Sequence, residues 1–218
     1  MARQIVKSMP NLDLGCGMNK TVGSFGVDRH SLTGVDVVCD LTHLPYPFLS
    51  GSADHIYMSH VLEHMENPVE VLAEVWRISR RGGRVHIRVP HYTGPYAWKD
   101  PTHRRCFSSE SFDYFGLNSY SYYSSARYGI ESLRLKYFMV PPRRLLFRLW
   151  GVLVQFILDR HPTFAERFLA YLVGGIDEIQ VTLTAIKTET EECSAQPDSS
   201  TPTHPTLPRE GARKRTLC

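Results

Sequence analysis

Between residues 11 and 90 the sequence switches repeatedly between strand-like and helix-like patterns, and this alternation restricts the fold more than any other feature. Asn11–Leu14 is a short apolar run stopped by glycines. Residues 24–28, 35–40 and 55–59 are three further runs with strand character. Pro68–Ile78 instead carries Val69, Leu72, Val75 and Trp76 with Glu70, Glu74 and Arg77 between them. That is helical spacing with one apolar face. Asn67-Pro68 opens the helix, and Arg81-Gly82-Gly83 is expected to close it. Residues 84–89 read as a strand ended by Pro90. Short strands joined by helices or crossovers imply a parallel sheet with right-handed connections.

Beyond Pro90 the pattern loosens. Residues 91–125 are rich in aromatics, serine and histidine, and read as loops and short helices over one end of the sheet. Residues 133–140 read as a strand. Residues 143–173 read as two apolar helices with interspersed arginines, broken near His161-Pro162. Residues 178–187 alternate and form a final strand. From Thr188 onward the chain is rich in Thr, Ser, Pro and Glu, with too little apolar content to offset ordering, so 188–218 is expected to be a disordered tail. The domain is therefore placed at 1–187, with insertion helices before the last strand.

Composition excludes several classes. A net charge of +3 is too small to argue for nucleic acid. The five cysteines are scattered and show no metal spacing, which suits reduced thiols in a cytosol. Residues 1–10 lack the apolar run of a signal peptide. The apolar stretch 145–158 contains Arg148 and is shorter than the about 20 residues a bilayer requires. A cytoplasmic setting is expected, with peripheral membrane contact or a homodimer through 143–173 as further options, since basic amphipathic helices suit anionic surfaces.

The strongest local signal is Leu12-Asp13-Leu14-Gly15-Cys16-Gly17, where a strand ends and two glycines let the backbone approach a ligand. An isolated pair of glycines can also serve as a plain turn. The context adds Asp28 at the end of the second strand, where an acid can accept ribose hydroxyls, and Asp40 at the end of the third. Three consecutive strand ends thus carry nucleoside-binding groups on one sheet edge.

Asp13-Leu14-Gly15-Cys16-Gly17, Gly26-Val27-Asp28, Asp40-Leu41 and Ser59-His60-Val61-Leu62-Glu63-His64 with Asn67-Pro68 together resemble the class I S-adenosylmethionine methyltransferases, in particular the broad type 11 group. Leu44-Pro45-Tyr46-Pro47-Phe48 followed by Ala53-Asp54 resembles that group's lead into its fourth strand. The resemblance implies a Rossmann-like α/β sheet of about seven strands with helices on both faces, and S-adenosylmethionine as cofactor. It implies that Gly15 and Gly17 lie beside the methionine part, with Asp13 close by. Asp28 would hold the ribose, Asp40 and Leu41 would border the adenine, and Ser59 and His60 would lie near the methionine part and the substrate entrance. Two departures stand out. Asn19 replaces the usual third glycine, and only ten residues separate Gly17 from Asp28, so the first crossover helix must be short or irregular.

His60-x-x-Glu63-His64 also matches the inverted zinc-protease pattern. The same letters belong to the methyltransferase motif and no third ligand is signalled, so no metal is expected at His60 and His64. The cluster from His91-Tyr92 to Phe107 follows the fifth strand, on the substrate side of such a fold. His91 and His103 are the candidate bases for a hydroxyl acceptor, Asp100 the orienting partner, and Tyr92, Arg104 and Arg105 the acceptor-binding groups. Asp100-Pro101-Thr102-His103 is equally readable as a capped turn. The expected activity is methyl transfer, mainly to oxygen, on a glycan, lipid or secondary metabolite. Two rivals remain. A nicotinamide-dependent oxidoreductase would need the glycine pattern that Met18-Asn19-Lys20 leaves incomplete. A non-catalytic scaffold would be expected to have lost the acids that are present here.

Overall fold

The computed structural model describes residues 10–116, 124–140 and 142–188. Almost all of the expected tail, and residues 1–9, lie outside the described residues. Seven strands form one mixed sheet: β1 Asn11–Leu14, β2 Phe25–Asp28, β3 Val37–Val38, β4 Ala53–Ser59, β5 Ser79–Pro90, β6 Arg127–Lys136 and β7 Glu178–Ile186. Their spatial order is β3-β2-β1-β4-β5-β7-β6. The first five run parallel, and β7 enters antiparallel between β5 and β6. Leu14 pairs with Val27 and Val27 with Val37, so the carboxyl ends of β1, β2 and β3 share one edge. This is the Rossmann-like α/β architecture expected from the sequence.

Helix α1, Pro68–Ile78, has the bounds that its periodicity predicts. The Asn67 side chain accepts hydrogen bonds from the N–H groups of Val69 and Glu70, and proline occupies the first turn. Val71, Leu72, Val75 and Ile78 are buried. The helix ends at Ser79, not at the glycines. The Ser79 hydroxyl donates to the Val75 carbonyl at 2.7 Å and its backbone turns extended. The chain therefore enters β5 at once, and Gly82, at φ +72°, bends that strand near its start. β6 begins earlier than the expected residue 133 and stops at Lys136. Beyond it the Tyr137 N–H donates to Gln155 and the Met139 N–H to Asp177, which draws the chain out of the ladder.

The two faces of the sheet differ. Ile56, Met58, Val85, Ile87, Val181 and Leu183 are buried in the core. On the other face Tyr57, His86, Gln180 and Thr182 are half-buried, and Arg88 is exposed. The connections explain this. Residues 15–24, between β1 and β2, form turns with no helix, as do residues 29–36 between β2 and β3. The short crossover expected from the sequence is thus a turn, and no helix between β1 and β2 covers the polar face. The Tyr57 and His86 rings stack there with centroids 4.8 Å apart.

Helix α3, Leu145–Arg160, follows the short α2, Tyr96–Lys99. It buries only the stripe Gly151, Val154 and Leu158. Gln155 anchors it to the Leu135 carbonyl at 2.8 Å. A second helical stretch, 162–172, begins after the expected break at His161-Pro162 and is π-helical in its middle.

Candidate active site

The glycine turn sits where the sequence puts it. Gly15 and Gly17 have φ +73° and +53°, a region in which other residues are strained. A side chain on Gly15 would strike Val61. A Cβ on Gly17 would meet nothing within 4 Å, so this backbone is open to a ligand. Asp28 holds the turn from below, with its Oδ2 accepting from the Gly17 N–H at 2.9 Å and its Oδ1 from the His30 N–H at 2.9 Å. Asp13 is buried, and its carboxylate accepts from the Thr21 N–H at 2.7 Å. Asp40 accepts from the Thr42 N–H and hydroxyl, and these bonds hold its carboxyl below the usual range. Leu41 is buried beside it.

A cleft of about 760 Å³ opens over this turn. Asp13, Gly15, Gly17, Ser59 and His60 line it, and it extends across the polar sheet face to Tyr57, His86 and Arg88. Asp28, Asp40 and Leu41 share the sheet edge but are not in its lining.

His60 follows the last residue of β4 and has φ +57°, the only non-glycine residue with positive φ among those described. Its backbone N–H donates to the Arg88 carbonyl at 2.9 Å. Its Nδ1 lies 3.1 Å from Glu63 Oε1 and its Nε2 3.2 Å from Glu178 Oε2. Hydrogen bonding to Glu178, then to Glu63, outweighs burial and raises its pKa to about 9. At neutral pH the ring is an imidazolium clamped between two buried carboxylates. His60 also lines a second cavity of about 500 Å³, together with Tyr96, Lys99, Asp100, His103 and Met139. No local pattern marks Glu178 as a partner, because it is 118 residues from His60 and the sheet order joins them.

The remaining candidates divide. His103 lines the second cavity, and its Nδ1 lies 3.1 Å from the Ala97 carbonyl. Asp100 lines it too, but binds Thr102 rather than His103, and the Thr102 hydroxyl in turn lies 3.0 Å from His64 Nδ1. His91 is fully buried, with Nε2 3.2 Å from Glu166 Oε1, and it lines neither cavity. Its ring follows Pro90 inward, not out to the cofactor edge. The Tyr92 ring lies tilted against His91, with centroids 4.7 Å apart, and its hydroxyl meets the Tyr171 hydroxyl at 3.1 Å. Arg104 pairs with the Glu66 carboxylate, and Arg105 donates to the Glu66 carbonyl. Both arginines strap their loop down outside the cavities.

Residues 12–87 match the family model of the methyltransferase domain. Over those residues the chain resembles a methyltransferase domain. Comparison with curated proteins returns no match. Among solved structures, a SAM-dependent methyltransferase from Archaeoglobus fulgidus is 17% identical, with 83% of this chain and 88% of that one covered and a TM-score of 0.51. The YcgJ protein from Bacillus subtilis is 14% identical over 85% and 95%, with a TM-score of 0.50. These two likenesses concern the fold.

The resemblance implies S-adenosylmethionine as methyl donor, and the residues present fit it. The open backbone at Gly17 and the buried Asp13 carboxylate face the cleft, as a ligand with an amino-acid end requires. Asp28 and Asp40 stand at the next two strand ends, with acceptor lone pairs left for a nucleoside. Among the described residues no helix is long and apolar enough to cross a membrane.

Proposed function

We propose that the methyltransferase acts on a hydroxyl group of a small or medium acceptor, of the glycan, lipid or secondary-metabolite kind, seated in the 500 Å³ cavity. The observation that carries this reading is His60, which lines both that cavity and the cofactor cleft. A hydroxyl at their junction is within reach of a donor in the cleft. Bound S-adenosylmethionine supplies a methyl carbon on a sulfonium. Transfer forms a C–O bond, breaks the S–C bond and releases the hydroxyl proton. The protein's part is then to position the two partners and manage that proton, and positioning alone supplies a large share of such a rate.

His60 has both ring nitrogens committed to carboxylates, so it positions and does not take a proton. His103 differs. The Ala97 carbonyl can only accept, so Nδ1 carries the hydrogen and Nε2 keeps its lone pair. Activation of the acceptor hydroxyl is therefore assigned to His103, and the buried His91 is given no part in it. A screen of hydroxylated sugars, lipid precursors and phenols with labelled donor would find the acceptor. His103→Ala should then lower turnover about a hundredfold while S-adenosylhomocysteine affinity is kept. Full turnover in that variant would refute the assignment.

The surface of residues 143–173 supports a place of work. Leu146, Phe147, Val152 and Phe156 are more than half exposed on α3, and Arg143, Arg144 and Arg148 lie beside them. An apolar ridge bordered by cations is complementary to an anionic membrane surface. On this reading the protein meets its acceptor as a peripheral membrane enzyme.

A further inference from the structure

We propose that Glu63, His64 and His103 bind a divalent first-row transition ion of the zinc type at the rim of the acceptor cavity. Each offers one ligand atom, and these atoms lie within 4.8 Å of one another. Two imidazoles and a carboxylate form a ligand set that zinc accepts with a position left open.

Three independent observations support the site. The first is the buried carboxylate. Glu63 is 1% exposed, its Oε1 is engaged by His60, and its Oε2 finds no hydrogen-bond partner among the described residues. An unpartnered buried carboxylate oxygen is costly, and a cation removes that cost.

The second is the state of the two rings. Metal-binding histidines are typically oriented by a hydrogen bond from the other nitrogen. His103 Nδ1 is held 3.1 Å from the Ala97 carbonyl. His64 Nδ1 is held 3.0 Å from Thr102 Oγ1. The Thr102 hydroxyl gives its own hydrogen to Asp100 Oδ1 at 2.7 Å, so it can only accept from His64. Both rings therefore carry hydrogen on Nδ1 and present the Nε2 lone pair. Their centroids are 4.7 Å apart, edge to face.

The third is the backbone. The N–H groups of Arg104 and Arg105 both donate to the Glu63 carbonyl, at 2.7 and 3.2 Å. The loop that brings His103 is thereby pinned to the 3-10 turn Leu62–His64 that brings the other two. Donor atoms around a tetrahedral zinc stand about 3.4 Å apart, given bonds of ~2.1 Å. The ligand atoms here, within 4.8 Å of one another, would draw together on binding.

The sequence pattern suggested His60 and His64 as a pair and lacked a third ligand. The fold removes His60 from that pair and supplies His103 in its place. Both roles use the His103 Nε2 lone pair, so ion binding and proton acceptance at His103 exclude one another, and the base role belongs to the ion-free protein.

The test uses the full, untagged chain stripped with chelator. Zinc titrated by calorimetry should bind at one equivalent, and cobalt should give the visible absorption of a low-coordinate site. His103→Ala and His64→Ala should each abolish the one-equivalent phase. Thr102→Val should weaken it about ten- to a hundredfold, and Thr102→Ser should restore it. S-adenosylhomocysteine binding, measured on every variant, reports folding and the cofactor site separately. Absence of saturable zinc binding in a chain that still binds S-adenosylhomocysteine would overturn the proposal and leave the methyltransferase reading standing. A one-equivalent phase that survives His103→Ala would also overturn it.

Discussion

Gly15 combines a left-handed backbone with a close approach to Val61, and the two costs can be separated. Gly15→Ala should destabilise the fold by at least about 1–2 kcal/mol, from the backbone alone. Adding Val61→Ala should recover the contact part and leave the backbone part. Denaturant midpoints of the single and double variants measure this, and full recovery would show that φ carries no strain. Asp28 is the second residue with a separable role. It holds Gly17 through one oxygen and the following turn through the other. Asp28→Ala should weaken S-adenosylhomocysteine by about 1.5–3 kcal/mol, the scale of a hydrogen bond involving a charged group. Unchanged affinity in calorimetry would remove Asp28 from the nucleoside site.

At the scale of elements, His91 and Glu166 join the end of β5 to the stretch 162–172. Burial pushes the Glu166 carboxyl up, but the close His91 ring and the hydrogen bonds from Ser109 outweigh it and hold the carboxyl below the usual range. A depressed pKa in the folded state means stability that is full above the unfolded value of about 4.5 and is lost as pH falls through the folded one. Glu166→Gln should therefore destabilise the protein by about 1–3 kcal/mol at neutral pH and flatten its loss of stability in acid. An unchanged acid limb in urea melts at pH 3 to 6 would contradict this coupling. The same contact shows where sequence reading stops. The presence of the strands β1 to β5, the periodicity of α1 and the glycine turn were legible because each is set by local spacing, whereas the early start of β5 at Ser79, in place of a helix stop at the glycines, was not. Asn67 caps α1 and Pro68 starts it within adjacent positions. The inward turn of His91, the clamp of Glu178 on His60 and the approach of His103 to His64 were not legible. Each joins distant segments through the order of strands, and no spacing encodes that. Arg104 and Arg105 misled for a related reason. A basic pair after a histidine looks like an anion site, but Glu66 already occupies both.

For the whole molecule, α3 and the stretch after it form an apolar ridge with little to cover it among the described residues. Flotation with vesicles containing anionic lipid should recover the protein at low salt and lose it at high salt. Replacing Arg143, Arg144 and Arg148 with glutamate should abolish recovery. A protein that stays with the aqueous fraction while behaving as a dimer in light scattering would assign the ridge to a second copy instead. The missing helix between β1 and β2 bears on a different property of the molecule. The cleft over the glycine turn extends across the open sheet face, whereas the second cavity, proposed above for the acceptor, opens beside α2, and among the described residues only His60 lines both. Neither ligand has to leave before the other can enter. Initial rates should accordingly follow a random order of addition, with S-adenosylhomocysteine competing against the donor at every acceptor concentration and never being trapped by the acceptor that remains.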